Sequence, residues 1–202
     1  MGKGCIRNRY SVLGAIKIVW WLLRTKLIEQ RARLLRFPFE IRGRKFIDLG
    51  IKLTTGVGCR IEGFAGNDPT NVKLVFGKNV QLNDYVHIVA MDHIEIGDNV
   101  LMASHVFISD NSHGSYKGGD NDSDPSIPPI EREYSTAPVR IGKNVWIGEG
   151  VAIMPGVEIG DGCVIGAHSI VNKSIPPNTI AVGAPAVPIK RWSSEMKKWI
   201  KI

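Results

Sequence analysis

A parallel β-helix is the fold class this sequence predicts, mainly β with an amphipathic α-helix before it and a short C-terminal helix after it. Three observations predict it: a six-residue period from Ile141 to Pro176, a looser copy of that period further back, and a basic segment of helical periodicity near the start. The frames open at Ile141, Ile147, Ile153, Ile159, Ile165 and Val171, all β-branched. Four residues into them come Val145, Val151, Val157, Cys163, Ser169 and Ile175, while Gly, Asn, Asp and Pro gather between as corner residues. The two apolar positions that meet at a frame boundary are two residues apart, so both point to one side of a short strand. A corner in every period leaves too little strand for hairpins. Three such strands instead close a triangular coil of about eighteen residues, and coils stack about 4.8 Å apart. Spacing alone does not set the hand of the coil, and the crossover rule by itself favours a right-handed path.

The same frame opens at Ile96, Met102 and Ile108, and again at Phe76, Leu82 and Ile88. Phe76 and Ile96 are twenty residues apart, so one corner carries two extra residues, near Ala90 to Asp92. Leu49 to Thr54 and Thr55 to Arg60 form a degenerate first coil, followed by a loop from Phe64 to Asn71. The expected organisation is a helical segment over 1–40, a β-helix over 41–183 carrying a long loop at 109–138, and a tail or helix over 184–202.

With 44% hydrophobic residues among 202, the chain can bury a core as one domain. No stretch reaches the roughly eighteen uncharged apolar residues of a spanning helix. A signal peptide is not expected, because Lys17 interrupts the apolar segment Ser11 to Leu23 and no small-residue cleavage site follows. Three cysteines, odd in number and without metal-ligand spacing, argue against a disulfide framework and for the cytoplasm. Cys163 sits at an inward position and reads as packing.

The net charge of +7 is uneven: up to Arg36 there are nine basic residues (Lys3, Arg7, Arg9, Lys17, Arg24, Lys26, Arg31, Arg33, Arg36) against Glu29 alone. Between Ser11 and Leu35, Val12, Ile16, Val19, Trp20, Leu23, Leu27 and Leu34 recur at helical spacings, which predicts an amphipathic helix ended before Pro38. Such a helix with Trp20 and Trp21 suits peripheral contact with the inner face of a membrane; the plainer reading is that its apolar stripe caps the open end of the β-helix. Nucleic-acid binding is not expected, since no recognised module accompanies the basic stretch.

The loop at 109–138 breaks the repeat without looking degenerate. It holds Asp110-Asn111-Ser112-His113-Gly114-Ser115-Tyr116, then Gly118 to Pro125 and Pro128-Pro129, and the next coil resumes in full frame. Loops of this length in compact domains are uncommon unless functional or disordered, so it is a candidate active-site arm.

Ile96-Gly97-Asp98-Asn99-Val100 to Ser109, a polar turn with His113, a loop, then Ile141-Gly142-Lys143-Asn144-Val145-Trp146-Ile147-Gly148 closely resembles the galactoside, maltose and nodulation O-acetyltransferases of the hexapeptide-repeat family. The tail, Ile175-Pro176-Pro177-Asn178-Thr179 to Gly183-Ala184-Pro185-Ala186, is similar to theirs, and the resemblance covers about Phe76 to Arg191. The basic N-terminal helix and Asn83-Asp84-Tyr85-Val86-His87-Ile88 look most like the lipopolysaccharide O-antigen O-acetyltransferases.

That resemblance implies a left-handed coil, a homotrimer, acetyl-CoA as co-substrate and a carbohydrate acceptor from a bacterial surface glycan or its precursor. A sugar hydroxyl is a weak nucleophile and a thioester is already activated, so a single base near its working pKa is the main need, and histidine suits it. His113 falls at the family's catalytic histidine. The oxyanion donor falls on the backbone N–H of Glu149. The pantetheine and nucleotide contacts carry over to Trp146, Gly148, Ala167, Lys173, Pro185 and Lys190, the lysines meeting phosphate as point cations. The family's acceptor asparagine aligns with Tyr85, two residues after Asn83, so these two are the candidate acceptor contacts and the pocket departs from the galactoside pattern.

His87 and His105 are eighteen residues apart, which raises a metal site like that of the β-helical carbonic anhydrases; their spacing does not match that pattern, and no metal is expected. His93 and His168 sit at corner-like or outward positions. The reading is an O-acetyltransferase, with N-acetylation of an amino sugar nucleotide, a metal-dependent hydratase and a non-catalytic β-helical module as alternatives.

Overall fold

The computed structural model describes residues 10–66 and 68–202. Lys3, Arg7 and Arg9 of the basic segment, and Asn67 of the Phe64 to Asn71 loop, lie outside the described residues.

Three sheets wrap one core. The first takes, in spatial order, Phe39–Arg42, Cys59–Gly63, His87–Ala90, Phe107–Ser109, Ala152–Ile153 and Ile170–Val171. The second takes Ile47–Asp48, Leu74–Phe76, Ile94–Ile96, Val139–Ile141 and Glu158–Ile159. Gln81–Leu82, Leu101–Met102, Trp146–Ile147, Val164–Ile165 and Thr179–Val182 build the third. Along the chain each strand passes to the next sheet, and every coil adds one parallel strand to all three. This is the β-helix the six-residue period predicts.

All twelve inward positions from Ile141 to Ile175 are at most 3% exposed, Ser169 among them. Ser169 tolerates burial because its hydroxyl donates to the Gly166 carbonyl (2.7 Å) and accepts from the Gly183 N–H (3.0 Å). Burying one Val, Leu or Ile contributes about 1.5–3 kcal/mol, so the stack is held mainly by these columns. The corners between the second and third sheets need a left-handed residue, supplied by Asn79, Asn99 and Asn144 at φ 57°, 58° and 58°. Their amides form a ladder, Asn79 donating to Asn99 (3.2 Å) and Asn99 to Asn144 (3.1 Å). Gly148 answers a different demand: a Cβ there would stand 2.6 Å from the Ala167 nitrogen on the next coil.

The twenty-residue coil is real. Phe76 pairs with Ile96, Leu82 with Met102 and Ile88 with Ile108, the extra residues being absorbed at the turn before Ile94. His87 therefore sits beside Phe107, and it is Tyr85 that stacks on His105, ring centroids 5.1 Å apart.

Three expectations need correction. The N-terminal helix is Val12–Ile28, capped by the Ser11 hydroxyl (Gly14 N–H, 3.2 Å), and does not run on towards Pro38. Leu34 already bridges Thr54, and Phe39–Arg42 pairs with Cys59–Gly63, so coiling starts within the segment read as helical. The helix ends at Ile28, and the chain turns back so that the Thr25 hydroxyl accepts the Leu35 N–H at 2.8 Å. Second, the apolar stripe of the helix does not cap the stack. Thr25 is buried against Leu35, with Gly14, Ile18 and Trp21 half-buried on the same side of the helix, Leu35 and Ala32 fill the end of the core, and the stripe itself is exposed. Third, no C-terminal helix forms: Val187–Ser193 and Lys198–Lys201 are antiparallel strands added to Thr179–Val182. The open edge of that last parallel strand offers unpaired backbone groups, and a returning strand satisfies them where a helix would not. Trp192 and Trp199 meet edge to face across this hairpin, centroids 5.5 Å apart.

Candidate active site

The arm leaves the first sheet after Ser109 and returns at Val139. Its base is pinned by Asp110, fully buried, whose carboxylate accepts the N–H of Met91 (2.9 Å) and Asp92 (2.8 Å) and the Asn111 side-chain amide (3.0 Å). The inserted corner and the arm are thus one construction. Asn111–His113 then pairs antiparallel with Tyr134–Thr136, His113 opposite Tyr134.

Beyond this short hairpin the arm is organised by polar contacts. Arg132 donates to the carbonyls of Ile127 (2.8 Å) and Pro125 (3.2 Å) and to the Tyr116 hydroxyl (2.7 Å), and Tyr116 donates in turn to the His113 carbonyl. Asp122 accepts the N–H groups of Lys117 (2.9 Å) and Gly118 (2.8 Å); the Gly118 bond leads the donors that hold its carboxyl below the usual range. The arm encloses a polar cavity of about 730 Å³ lined by Ser115, Asp122, Arg132 and Tyr134 among others.

The His113 imidazole is exposed and rests on the Tyr134 ring, centroids 4.6 Å apart. Its Nδ1 is 3.2 Å from the Pro129 carbonyl. A carbonyl can only accept, so Nδ1 carries the hydrogen, and in the neutral ring the lone pair is on Nε2. That is the tautomer a general base needs. Neither Pro129 nor Tyr134 had been singled out from sequence, since a backbone carbonyl has no signature there; the Pro128-Pro129 pair is the only trace of that turn.

The residues assigned to the co-substrate lie elsewhere. Trp146, Val164, Ile180 and Lys190 stand in register across four strands of the third sheet, with the Trp146 and Lys190 side chains exposed. Three strand spacings of about 4.8 Å separate the ends of this column, about 14 Å along the stack. Gly148 and Glu149 form the next corner, with exposed Ala167 one coil on. The Gly148 N–H is spent on the Ile165 carbonyl (2.8 Å), whereas among the described residues the Glu149 N–H has no acceptor. Pro185 follows Thr179–Val182, and Lys173 is exposed at the corner after Ile170–Val171. His113 is joined to none of these by a hydrogen bond or ring contact: its arm springs from the first sheet and the column lies on the third.

Tyr85 is exposed and lines a cavity of about 420 Å³ with Pro38, Glu40, Arg60 and His87. Asn83 does not line it; its backbone is spent on the ladder, its N–H donating to the Met102 carbonyl at 2.9 Å. Beside the cavity Glu62, nearly buried, receives Arg42 (2.9 Å), Arg60 (3.2 Å) and His87 (2.7 Å). Burial alone would raise the Glu62 carboxyl, but the His87 hydrogen bond and the Arg60, His87 and Arg42 charges prevail and hold it low. This cluster was not anticipated, because Arg60 and His87 are partners across an irregular coil.

The bacterial transferase hexapeptide family model, of six repeats, matches residues 138–173. A protein of Escherichia coli K12 named provisionally as the lipopolysaccharide biosynthesis O-acetyl transferase WbbJ is 42% identical over 196 residues, covering 97% of both chains. Among solved structures, a maltose O-acetyltransferase from Clostridium difficile 630 superposes with TM-score 0.55 at 29% identity, over 90% of this chain and 89% of that one. AntD, an N-acyltransferase from Bacillus cereus, superposes with TM-score 0.67 at 23% identity, over 86% and 91%, and shares the fold. The coil is left-handed, as in these transferases. Repeat, arm and full-length similarity lead to one conclusion: the chain belongs to the hexapeptide-repeat acetyltransferases and is an acyltransferase.

Proposed function

We propose that this enzyme transfers acetyl from acetyl-CoA to a sugar hydroxyl of a bacterial surface polysaccharide, the lipopolysaccharide O-antigen or its precursor, and works in the cytoplasm as a homotrimer. The observation that carries the reading is the 42% identity to WbbJ across nearly the whole of both chains. Acetyl-CoA supplies an activated acyl thioester. The column from Trp146 to Lys190, exposed at both ends, and the unspent Glu149 N–H fit an extended ligand, with Ala167 and Pro185 along its path, Lys173 and Lys190 towards its phosphates, and Gly148 keeping the coils close beneath it.

His113 Nε2 takes the acceptor hydroxyl proton as that oxygen attacks, while Nδ1 stays tied to the Pro129 carbonyl. The Glu149 N–H donates to the carbonyl oxygen as it gains charge. Tyr85 would meet the acceptor. The backbone role of Asn83 leaves only its side chain for such contact. Because the arm and the column lie on different sides of one chain, a neighbouring copy would bring its column to this arm, which supports the trimer. The cytoplasmic placement draws on the buried free thiols of Cys59 and Cys163, the former pushed up to about 11 by burial.

The test is an acetyl-CoA turnover assay, corrected for hydrolysis, against O-antigen fragments and amino sugar nucleotides. Faster turnover with the glycan fragments is expected; preference for the amino sugars would replace O- by N-acetylation. Light scattering should give three times 22.2 kDa. An active monomer would overturn the shared site.

A further inference from the structure

The N-terminal helix is built backwards for a helix that only packs on its own domain. On a wheel of about 100° per residue, buried Thr25 and half-buried Gly14, Ile18 and Trp21 occupy one side. Val12, Ile16, Val19, Trp20, Leu23 and Leu27 fill an arc of about 100° diametrically opposite. Each of these six is more than half exposed, Leu27 reaching 87%. Lys17 and Arg24 stand at one edge of the arc and Lys26 at the other, and no acidic residue occurs from Ser11 to Ile28. Arg24 lies over the Phe37 ring and Lys26 donates to the Gln30 (3.0 Å) and Ala32 (2.8 Å) carbonyls, so both keep their charge but are held to the protein. Among the described residues no helix is long and apolar enough to cross a membrane.

We infer that this helix lies flat in the interface of a bilayer containing anionic phospholipid, its apolar arc among the acyl chains, Lys17 at the headgroups, and Arg24 and Lys26 adding positive charge at the edges of the arc. An apolar face edged by positive charge with no acid is what such an interface accommodates, and Lys17 can reach back to the phosphates while its stem stays among the chains. A second copy of the helix is a poorer occupant: it presents the same cations and no acid, so pairing would oppose like charges. The inference does not depend on which sugar is the acceptor.

The experiment uses the full-length protein with sedimented vesicles, one set of phosphatidylcholine alone and one of equal parts phosphatidylcholine and phosphatidylglycerol. Residues 31–36 belong to the coil, so the helix is altered by substitution rather than deletion. Wild type should sediment with the mixed vesicles at low salt and be released as salt is raised. The variant Ile16→Glu/Leu23→Glu, at exposed positions, should lose at least about tenfold in vesicle affinity while keeping its turnover and oligomer size. Equal binding to both vesicle sets, no binding by wild type, or unchanged binding by the variant would overturn the inference. So would dissociation of the variant's oligomer, which would assign the arc to a second copy.

Discussion

The coils from Val139 to Ile175 and the arm from Asp110 to Ala137 are neighbours in sequence and are held by different forces. In the coils every second side chain of a strand is buried, and each coil repeats the last. In the arm Tyr116, Ile127, Ile130 and Tyr134 are exposed, and order comes from Arg132, Asp122 and Tyr116 bonded to backbone. The buried columns of the coils and the arm that carries His113 are thereby held independently. A change in one should leave the other standing, and the predictions below press on that separation.

The largest effect belongs to the arm. His113→Ala should lower turnover by roughly 100- to 10,000-fold while unfolding stability stays within about 0.5 kcal/mol of wild type. Retention of more than a tenth of wild-type turnover, with chemistry rate-limiting, would show that another group is the base. The complementary change is Ile153→Ala, between Ile108 and Val171 in the first sheet. Urea titration should show a loss of about 2–5 kcal/mol, with the folded fraction turning over near the wild-type rate. If activity fell with stability untouched, coil and arm would not be separable.

Arg132→Ala sharpens the comparison from within the arm. Arg132 holds the Tyr116 hydroxyl, which holds the His113 carbonyl, and it grips Ile127 just ahead of the Pro129 carbonyl that fixes the imidazole. It is a positioning residue: kcat should fall about tenfold or more, with KM for acetyl-CoA little changed. The pH dependence of kcat should shift as well, because the tautomer is no longer locked. An altered KM with kcat intact would place Arg132 in ligand binding.

The smallest effect concerns Glu62. Its carboxyl is lowered in the folded state, so the folded state binds this proton less readily than the unfolded chain does. The stability it contributes is therefore present above the ordinary value of 4.5 and is lost as pH falls through the lowered native value. Thermal melts of wild type and Glu62→Gln should differ at neutral pH and converge in acid. A gap that is constant with pH would mean that packing, and not charge, is what Glu62 supplies.

What could be read beforehand follows the same division. Inward columns and corners are periodic, the two extra residues show as a break in that period, and each frame repeats the previous evidence of an inside. The strands from Leu34 to Arg42 escaped because one coil of irregular length has no period to reveal it. At the C-terminus Trp192, Met196 and Trp199 recur at spacings of four and three, which a helix also produces, so spacing there does not reveal the hairpin. In the arm, His113 could be picked out, but the Pro129 carbonyl, Asp110 and the Arg132 to Tyr116 chain depend on folded geometry and on backbone atoms that every residue carries. The Glu62 cluster needed the register of Cys59–Gly63 against His87–Ala90, which the degenerate first coil conceals.

The terminal hairpin also bears on solubility. A stack of parallel rungs is in principle endless, since its last rung presents the same hydrogen-bonding template that received it, which is the geometry of fibre growth. Here Val187–Ser193 lies antiparallel on Thr179–Val182, and the outermost strand, Lys198–Lys201, carries an exposed lysine at each end. The reversal removes the parallel template, and the two like charges discourage another copy from docking on what is left. Along this sheet the parallel stack gives way to an antiparallel hairpin, a poor template for a further parallel rung.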